Sequence, residues 1–300
     1  MFTADAHCDA LHKVAIQKCE LCQVTPENLA AGEVGVQVYA LFTGADEGRG
    51  FGRIEALLDA RRAMGVPFFD GDLPAQPPRA PHGVLSLEGG EALAGSLETL
   101  EALDDRARLR MIGLTWNDEN EIGYPAVGGD RRGLKPFGRE VLSRMDDLRI
   151  LADVSHLNEA GFWDVIERSQ LPPVASHSNC RWLCEVARNL TKEQARAIIQ
   201  RGGFIGVNFF SAFLRRDGQA AIEDVVRHID ALMELGGDKC VGLGSDFDGI
   251  DAWPQGLASP ADVPRLLEAL VRRGYSQELV EDIAGNNLYR ALRLTNRAQA

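Results

Sequence analysis

The sequence predicts a (β/α)8 barrel, a single domain spanning residues 1–300, on three observations. Short β-branched runs alternate with amphipathic stretches along the whole chain, the pattern of parallel strands joined by crossover helices. Eight such runs are present, the number a closed barrel needs. No G-x-G-x-x-G follows an early strand, which disfavours a doubly wound open sheet.

In chain order the strand runs are "FTADAHCD", "VGVQVYALF", "HGVLSLEGG", "LRMIGLTWN", "RILADVSH", "LPPVASHS", "GGFIGVNFF" and "KCVGLGSDFDG". Between them lie "GRIEALLDARRAMG", "GREVLSRMDDLR", "NEAGFWDVIERSQ", "TKEQARAIIQRGG" and "IEDVVRHIDALMELGG". Their apolar residues recur at helical spacing, and Gly often stands where the helix should stop. The Pro-rich "DLPAQPPRAPHG" falls between a helix and the third strand and reads as a surface loop rather than a domain linker.

Bulk properties narrow the function. The chain has 300 residues, 45% hydrophobic and 25% charged, enough for a sizeable core. A net charge of −12 argues against a nucleic-acid surface. It also means that an anionic ligand would need a local Arg. No run approaches the roughly 20 apolar residues of a membrane span. Nor does a basic region lead into an apolar core at the N-terminus, so a cytoplasmic location and no membrane partner are expected. Cys19 and Cys22 form one C-x-x-C with no second half to complete a structural zinc site. All six cysteines, including Cys8, Cys180, Cys184 and Cys240, are expected to be reduced thiols.

The chemistry-bearing residues sit at the strand ends. His7 and Asp9 end the first run, Glu88 the third, His156 the fifth, His177 the sixth and Asp246 the eighth. In an extended strand, residues two apart point the same way, so His7 and Asp9 project together while Cys8 points away. The carboxyl ends of all barrel strands converge on one mouth. Three His and three acidic groups there would repel and mis-titrate without a cation. They suit a borderline metal such as zinc. His7 with Asp9 would hold one ion and His156 with His177 another, with Glu88 bridging. Two ions about 3.5–4 Å apart make water nucleophilic near neutral pH. Asp246 is left for proton transfer.

Taken one at a time, the same residues admit blander readings. Glu88 could cap the turn begun by "EALAG", His156 and His177 could be core histidines, and Asp246 could cap a turn. Asp248 is expected to cap the turn in "SDFDG". His12, His82 and His228 lie away from the predicted mouth and read as structural.

The segments "DAHCD", "SLEGG", "LTWNDEN", "DVSH", "PVASHSNCR", "ARNL", "GGFIGVNFF" and "VGLGSDFDGI", in this order, resemble the membrane dipeptidase (renal dipeptidase) family, metallopeptidase family M19. The resemblance covers nearly the whole chain. It implies an amidohydrolase-type barrel with two zinc ions per chain, other divalent metals being compatible. The implied substrate is a small dipeptide, L,L or with a D-residue on the carboxyl side. It also implies Asp246 as catalytic acid/base, Arg188 of "ARNL" as the holder of the substrate carboxylate, and a possible homodimer. Two positions depart from the family pattern. Trp116 stands where the renal enzyme has a histidine facing the substrate carbonyl. Phe210 stands where a tyrosine is common. Both are expected to line the substrate site, and they leave another amide, a lactone or a phosphoester as the alternative substrate. A barrel that has lost catalysis and serves only for binding is the remaining alternative.

Overall fold

The computed structural model describes residues 1–19, 22–44 and 51–297. Eight parallel strands close a barrel in sequence order: β1 (Thr3–Asp5), β2 (Val34–Phe42), β3 (His82–Glu88), β4 (Leu109–Gly113), β5 (Leu151–Asp153), β6 (Val174–Ala175), β7 (Phe204–Val207) and β8 (Val241–Leu243). β1 pairs with both β2 and β8, which completes the closure. Each helical stretch read from the sequence forms a helix, including Pro136–Leu148, Glu159–Arg168, Lys192–Gln200 and Ile222–Met233. Among the described residues, no helix is long and apolar enough to cross a membrane.

Strand alternation sorts the side chains. On β3, Leu85 and Leu87 join the large cluster that includes helix residues such as Leu100, Val141 and Ile198. Val84, Ser86 and Glu88 share the opposite face, so Glu88 ends a row that starts apolar. A second cluster joins Val36, Val38, Val84, Met111, Leu151 and Phe204 to Leu288 and Leu292 of the last helix (Asn287–Arg293).

The Pro-rich segment is a pinned strap rather than a free surface loop. Leu73 is buried, and its N–H and carbonyl pair with the Asn296 side-chain amide at 2.9 and 2.8 Å. The Tyr289 hydroxyl donates to the Pro74 carbonyl at 2.8 Å. Nothing in the local composition could announce those partners, which lie more than two hundred residues away.

Several strands are shorter than their apolar runs. β1 stops at Asp5; the chain bends at Ala6 and pairs again at a single bridge between Cys8 and Phe247. β5, β6 and β8 stop two or three residues before His156, His177 and Asp246. Those extra residues turn the side chains into the mouth.

Candidate active site

At the carboxyl end of the barrel, the structure brings His7, Asp9, Glu88, His156, His177 and Asp246 together, the first five at most 8% exposed. Asp9, Glu88, His156, His177 and Asp246 border a cavity of about 750 Å3, which Trp116, Arg188 and Phe210 also line.

His7 and Asp9 arrive by extended-strand alternation, with Cys8 buried on the other side. Glu88 is the last residue of β3, and Gly89, at φ 89°, turns the chain immediately after it. His156 and Asp246 need a different device. Three residues past Asp153, strict alternation would send His156 to the helix side. A left-handed backbone, φ 65° at both His156 and Asp246, turns the side chain instead. For His156 this conformation costs about 1 kcal/mol or more, held by the surrounding fold, whereas an Asp such as Asp246 adopts it more readily. Asn158 helps fix the first turn: its side chain caps the helix Glu159–Arg168 at Gly161 N–H, 2.8 Å away.

Glu88 faces two ways. Its Oε2 is 3.5 Å from His7 Nε2, while Oε1 is 3.1 Å from His156 Nε2 and 3.7 Å from His177 Nε2. The two latter nitrogens lie 3.0 Å apart. On the far side of His7, Nε2 is 3.4 Å from Asp9 Oδ2 and 3.9 Å from Asp246 Oδ1. Two groups can therefore offer ligand atoms to a cation: His7, Glu88 and His177, and His7, Asp9 and Asp246.

The electrostatics are those of mutually crowding charges. Burial pushes Asp246 up to about 7, and the negative charges of Asp9 and Glu88 push the same way. Asp9 is raised by burial and by Glu88. Burial alone would lower His7, but Glu88 and Asp9 outweigh it and hold the imidazole well above its usual range. His156 falls to about 4 through burial and the Arg188 charge. Burial and the neighbouring positive charges likewise lower His177.

Sequence reasoning missed the groups that orient these side chains. Asn117 Oδ1 lies 2.9 Å from His156 Nδ1, and Asn208 Nδ2 donates to Asp246 Oδ2 at 2.9 Å. Gly249 packs so closely that a Cβ there would overlap Asp9 Oδ2 and Asp246 Oδ1. Asp248 does not cap a local turn. It accepts from Gln23 N–H, Val24 N–H and Lys13 Nζ at 2.7, 3.0 and 3.2 Å, tying a distant loop beside the cavity.

A family profile for membrane dipeptidase, peptidase family M19, matches residues 81–300. This chain belongs to the membrane dipeptidase family. An uncharacterised Klebsiella pneumoniae protein from the pqqA 5′ region is 39% identical over 220 residues, which cover 70% of this chain and 80% of that one. An uncharacterised dipeptidase of Schizosaccharomyces pombe is 32% identical over 216 residues, 71% of this chain and 53% of the yeast protein. A Rhodobacter sphaeroides metallopeptidase, solved with a phosphinate mimic of the dipeptide L-Ala-D-Ala, superposes with a TM-score of 0.87. It is 25% identical over 98% of this chain and 99% of that one. An M19 dipeptidase described as dipeptidase AC gives a TM-score of 0.86, also at 25% identity, over 98% of both chains.

An M19 metallopeptidase uses a divalent metal, and the side chains here fit one. His7 Nε2 and Asp9 Oδ1 are buried and make no hydrogen bond among the described residues. Leaving such atoms unpaired is costly unless a ligand completes them. The buried carboxylates of this M19 peptidase also need positive charge nearby. Trp116 sits with its ring 5.0 Å from Phe42 and 6.1 Å from His156, on the cavity wall. Phe210 packs edge-on to Phe213 at 4.9 Å, and Phe213 lies under the Arg188 guanidinium at 5.6 Å. Burial lowers Arg188 to about 10, so it remains charged at neutral pH.

The other histidines differ. His82 stacks on Phe69 away from the mouth. His228 is buried in its helix, its Nδ1 accepting from Cys180 N–H at 3.0 Å and its Nε2–H donating to the Leu214 carbonyl. His12 was expected to be purely structural, yet it lines the cavity, with Nδ1 bonded to the Phe42 carbonyl at 3.0 Å. Cys8, Cys22, Cys180, Cys184 and Cys240 are free thiols.

Proposed function

We propose that this peptidase hydrolyses dipeptides with a free C-terminal carboxylate, L,L or L,D, using two zinc ions. The observation that carries the reading is the two-way placement of Glu88, whose oxygens face His7 on one side and His156 with His177 on the other. An imidazole and carboxylate donor set of this kind suits zinc. His7 and Asp9 would hold one ion, His156 and His177 the other, and Glu88 both. When bound, the ions supply Lewis acidity and make water nucleophilic near neutral pH.

The chain's own residues do the rest. Arg188 is buried, lines the cavity and has no hydrogen-bonding partner among the described residues, so its five N–H donors are free for a carboxylate. Its grip fixes the C-terminus and limits length, because a longer peptide would put an amide there. Asp246, oriented by Asn208, takes the proton of the attacking water and delivers it to the leaving amine. Trp116 offers one indole N–H to the substrate and cannot titrate. The neighbour's dipeptide-mimic complex supports an L,D-dipeptide as substrate.

The test is hydrolysis of L,L- and L,D-dipeptides beside their C-terminal amides, a lactone and a phosphotriester, before and after chelation and zinc restoration. The reading expects zinc-dependent cleavage of free-acid dipeptides. Preferential cleavage of the lactone or phosphotriester would contradict it.

A further inference from the structure

We propose that Asp153 and Ser176 form a hydroxyl relay that fixes the tautomer of His177 and so sets how tightly the site holds metal. The proposal rests on the reading of His177 as a metal ligand. It follows from the donors and acceptors that meet behind that ring.

Asp153, the last residue of β5, is buried and reaches across to the start of the β6 loop. Its Oδ1 accepts two backbone N–H groups, from Ser155 and Ser176, both at 3.0 Å. Its Oδ2 makes a short hydrogen bond with Ser176 Oγ. A carboxylate can only accept, so the Ser176 proton points at Asp153. The remaining capacity of Ser176 Oγ is therefore acceptor capacity. Two groups use it: His177 Nδ1 at 2.7 Å and Ser155 Oγ at 3.3 Å. Ser155 Oγ in turn accepts from His177 N–H at 3.2 Å. The ring nitrogen next to Ser176 must then carry hydrogen, which leaves the Nε2 lone pair for the side where Glu88 and His156 converge.

A second Asp–Ser pair shows which part of this arrangement is architectural. Asp5, at the end of β1, accepts from Ser245 N–H at 2.8 Å and from the Ser245 hydroxyl, tying β8 to β1 as Asp153 ties β6 to β5. Ser245 Oγ, its proton on Asp5, accepts from the Phe247 backbone N–H at 3.2 Å and not from an imidazole. Strand cross-linking explains both pairs. The step from hydroxyl to ring nitrogen belongs to Ser176 alone of the two.

Ser176→Ala leaves a buried Nδ1–H without its acceptor. Asp153→Asn acts differently. Its amide oxygen must stay with the two backbone N–H donors, so its NH2 faces Ser176 Oγ. The hydroxyl proton is then pushed toward His177 Nδ1, favouring hydrogen on the metal-facing nitrogen, much as a wrong tautomer disables a catalytic histidine. Outer partners of ligating histidines typically change metal affinity by 10–100-fold.

The experiment measures zinc release from the loaded protein to a chromophoric chelator, alongside thermal melting of each metal-free form. Ser176→Ala and Asp153→Asn should release zinc about 10–100-fold faster than wild type. Ser176→Thr, which keeps the hydroxyl, should stay within about threefold. Should Ser176→Ala fail to fold, the near-isosteric Asp153→Asn carries the same comparison. Unchanged release from Ser176→Ala or Asp153→Asn, with accelerated release from His177→Ala, would overturn the relay and leave the metal assignment standing. Unchanged release from His177→Ala would overturn both.

Discussion

Replacing Arg188 with Met tests substrate recognition with the largest effect at the least structural cost. Arg188 is 8% exposed, lines the cavity and has no hydrogen-bonding partner among the described residues. A carboxylate gripped there gains two charge-assisted hydrogen bonds at about 1.5–3 kcal/mol each. Water entering the emptied space recovers part of that sum. A net loss of about 3 kcal/mol corresponds to roughly 150-fold in kcat/KM for a free-acid dipeptide. The C-terminal amide of the same dipeptide never had the full grip and should lose far less, so the acid-to-amide preference collapses. Stability should move the other way. Arg188 is a buried charge whose pKa is depressed by desolvation, and Met fills similar volume without that cost, so the melting temperature should not fall. The assay is steady-state kinetics on the acid and amide pair, with melting curves for both proteins. An Arg188→Met variant that keeps the wild-type preference for the acid would refute the carboxylate role.

The remaining predictions concern other parts of the site and fold. Gly249→Ala should cut kcat/KM by about 100-fold with unchanged far-UV dichroism, because its Cβ displaces Asp9 and Asp246; wild-type kinetics would contradict this. Asp246→Asn should lower kcat by about 10²–10⁴-fold while metal content, measured by mass spectrometry, stays at the wild-type level. His228 gives a pH test of stability. Burial lowers it to about 4 in the folded state against 6.5 in the unfolded chain, so its contribution is full above pH 6.5 and is lost as pH falls toward 4. That contribution is about 3 kcal/mol. The melting-temperature gap between wild type and His228→Gln should therefore narrow from pH 7 to pH 5; a constant gap would contradict it.

The barrel was legible because its signals are local. β2 and β3 end where their β-branched runs end, at Phe42 and Glu88, and the helix Lys192–Gln200 begins at Thr191 with a full capping box. His7 and Asp9 were legible as a pair because strand alternation alone puts them on one side. His156 and Asp246 lie beyond their strands in left-handed turns, and strand periodicity says nothing of where such side chains point. Asn117, Asn208 and Ser176 left no signal, since isolated polar residues acquire roles only through partners brought close by barrel closure. Asp248 misled for the same reason. A local turn was the natural reading of "SDFDG", but its acceptors serve backbone more than two hundred residues away.

The most direct test of the central claim is an anomalous scattering map of the zinc-loaded crystal. Two peaks about 3.5–4 Å apart are predicted, one beside each Glu88 oxygen, with His7 and Asp9 on the first and His156 and His177 on the second. A single peak, or a pair in which Glu88 touches neither ion, would contradict the account.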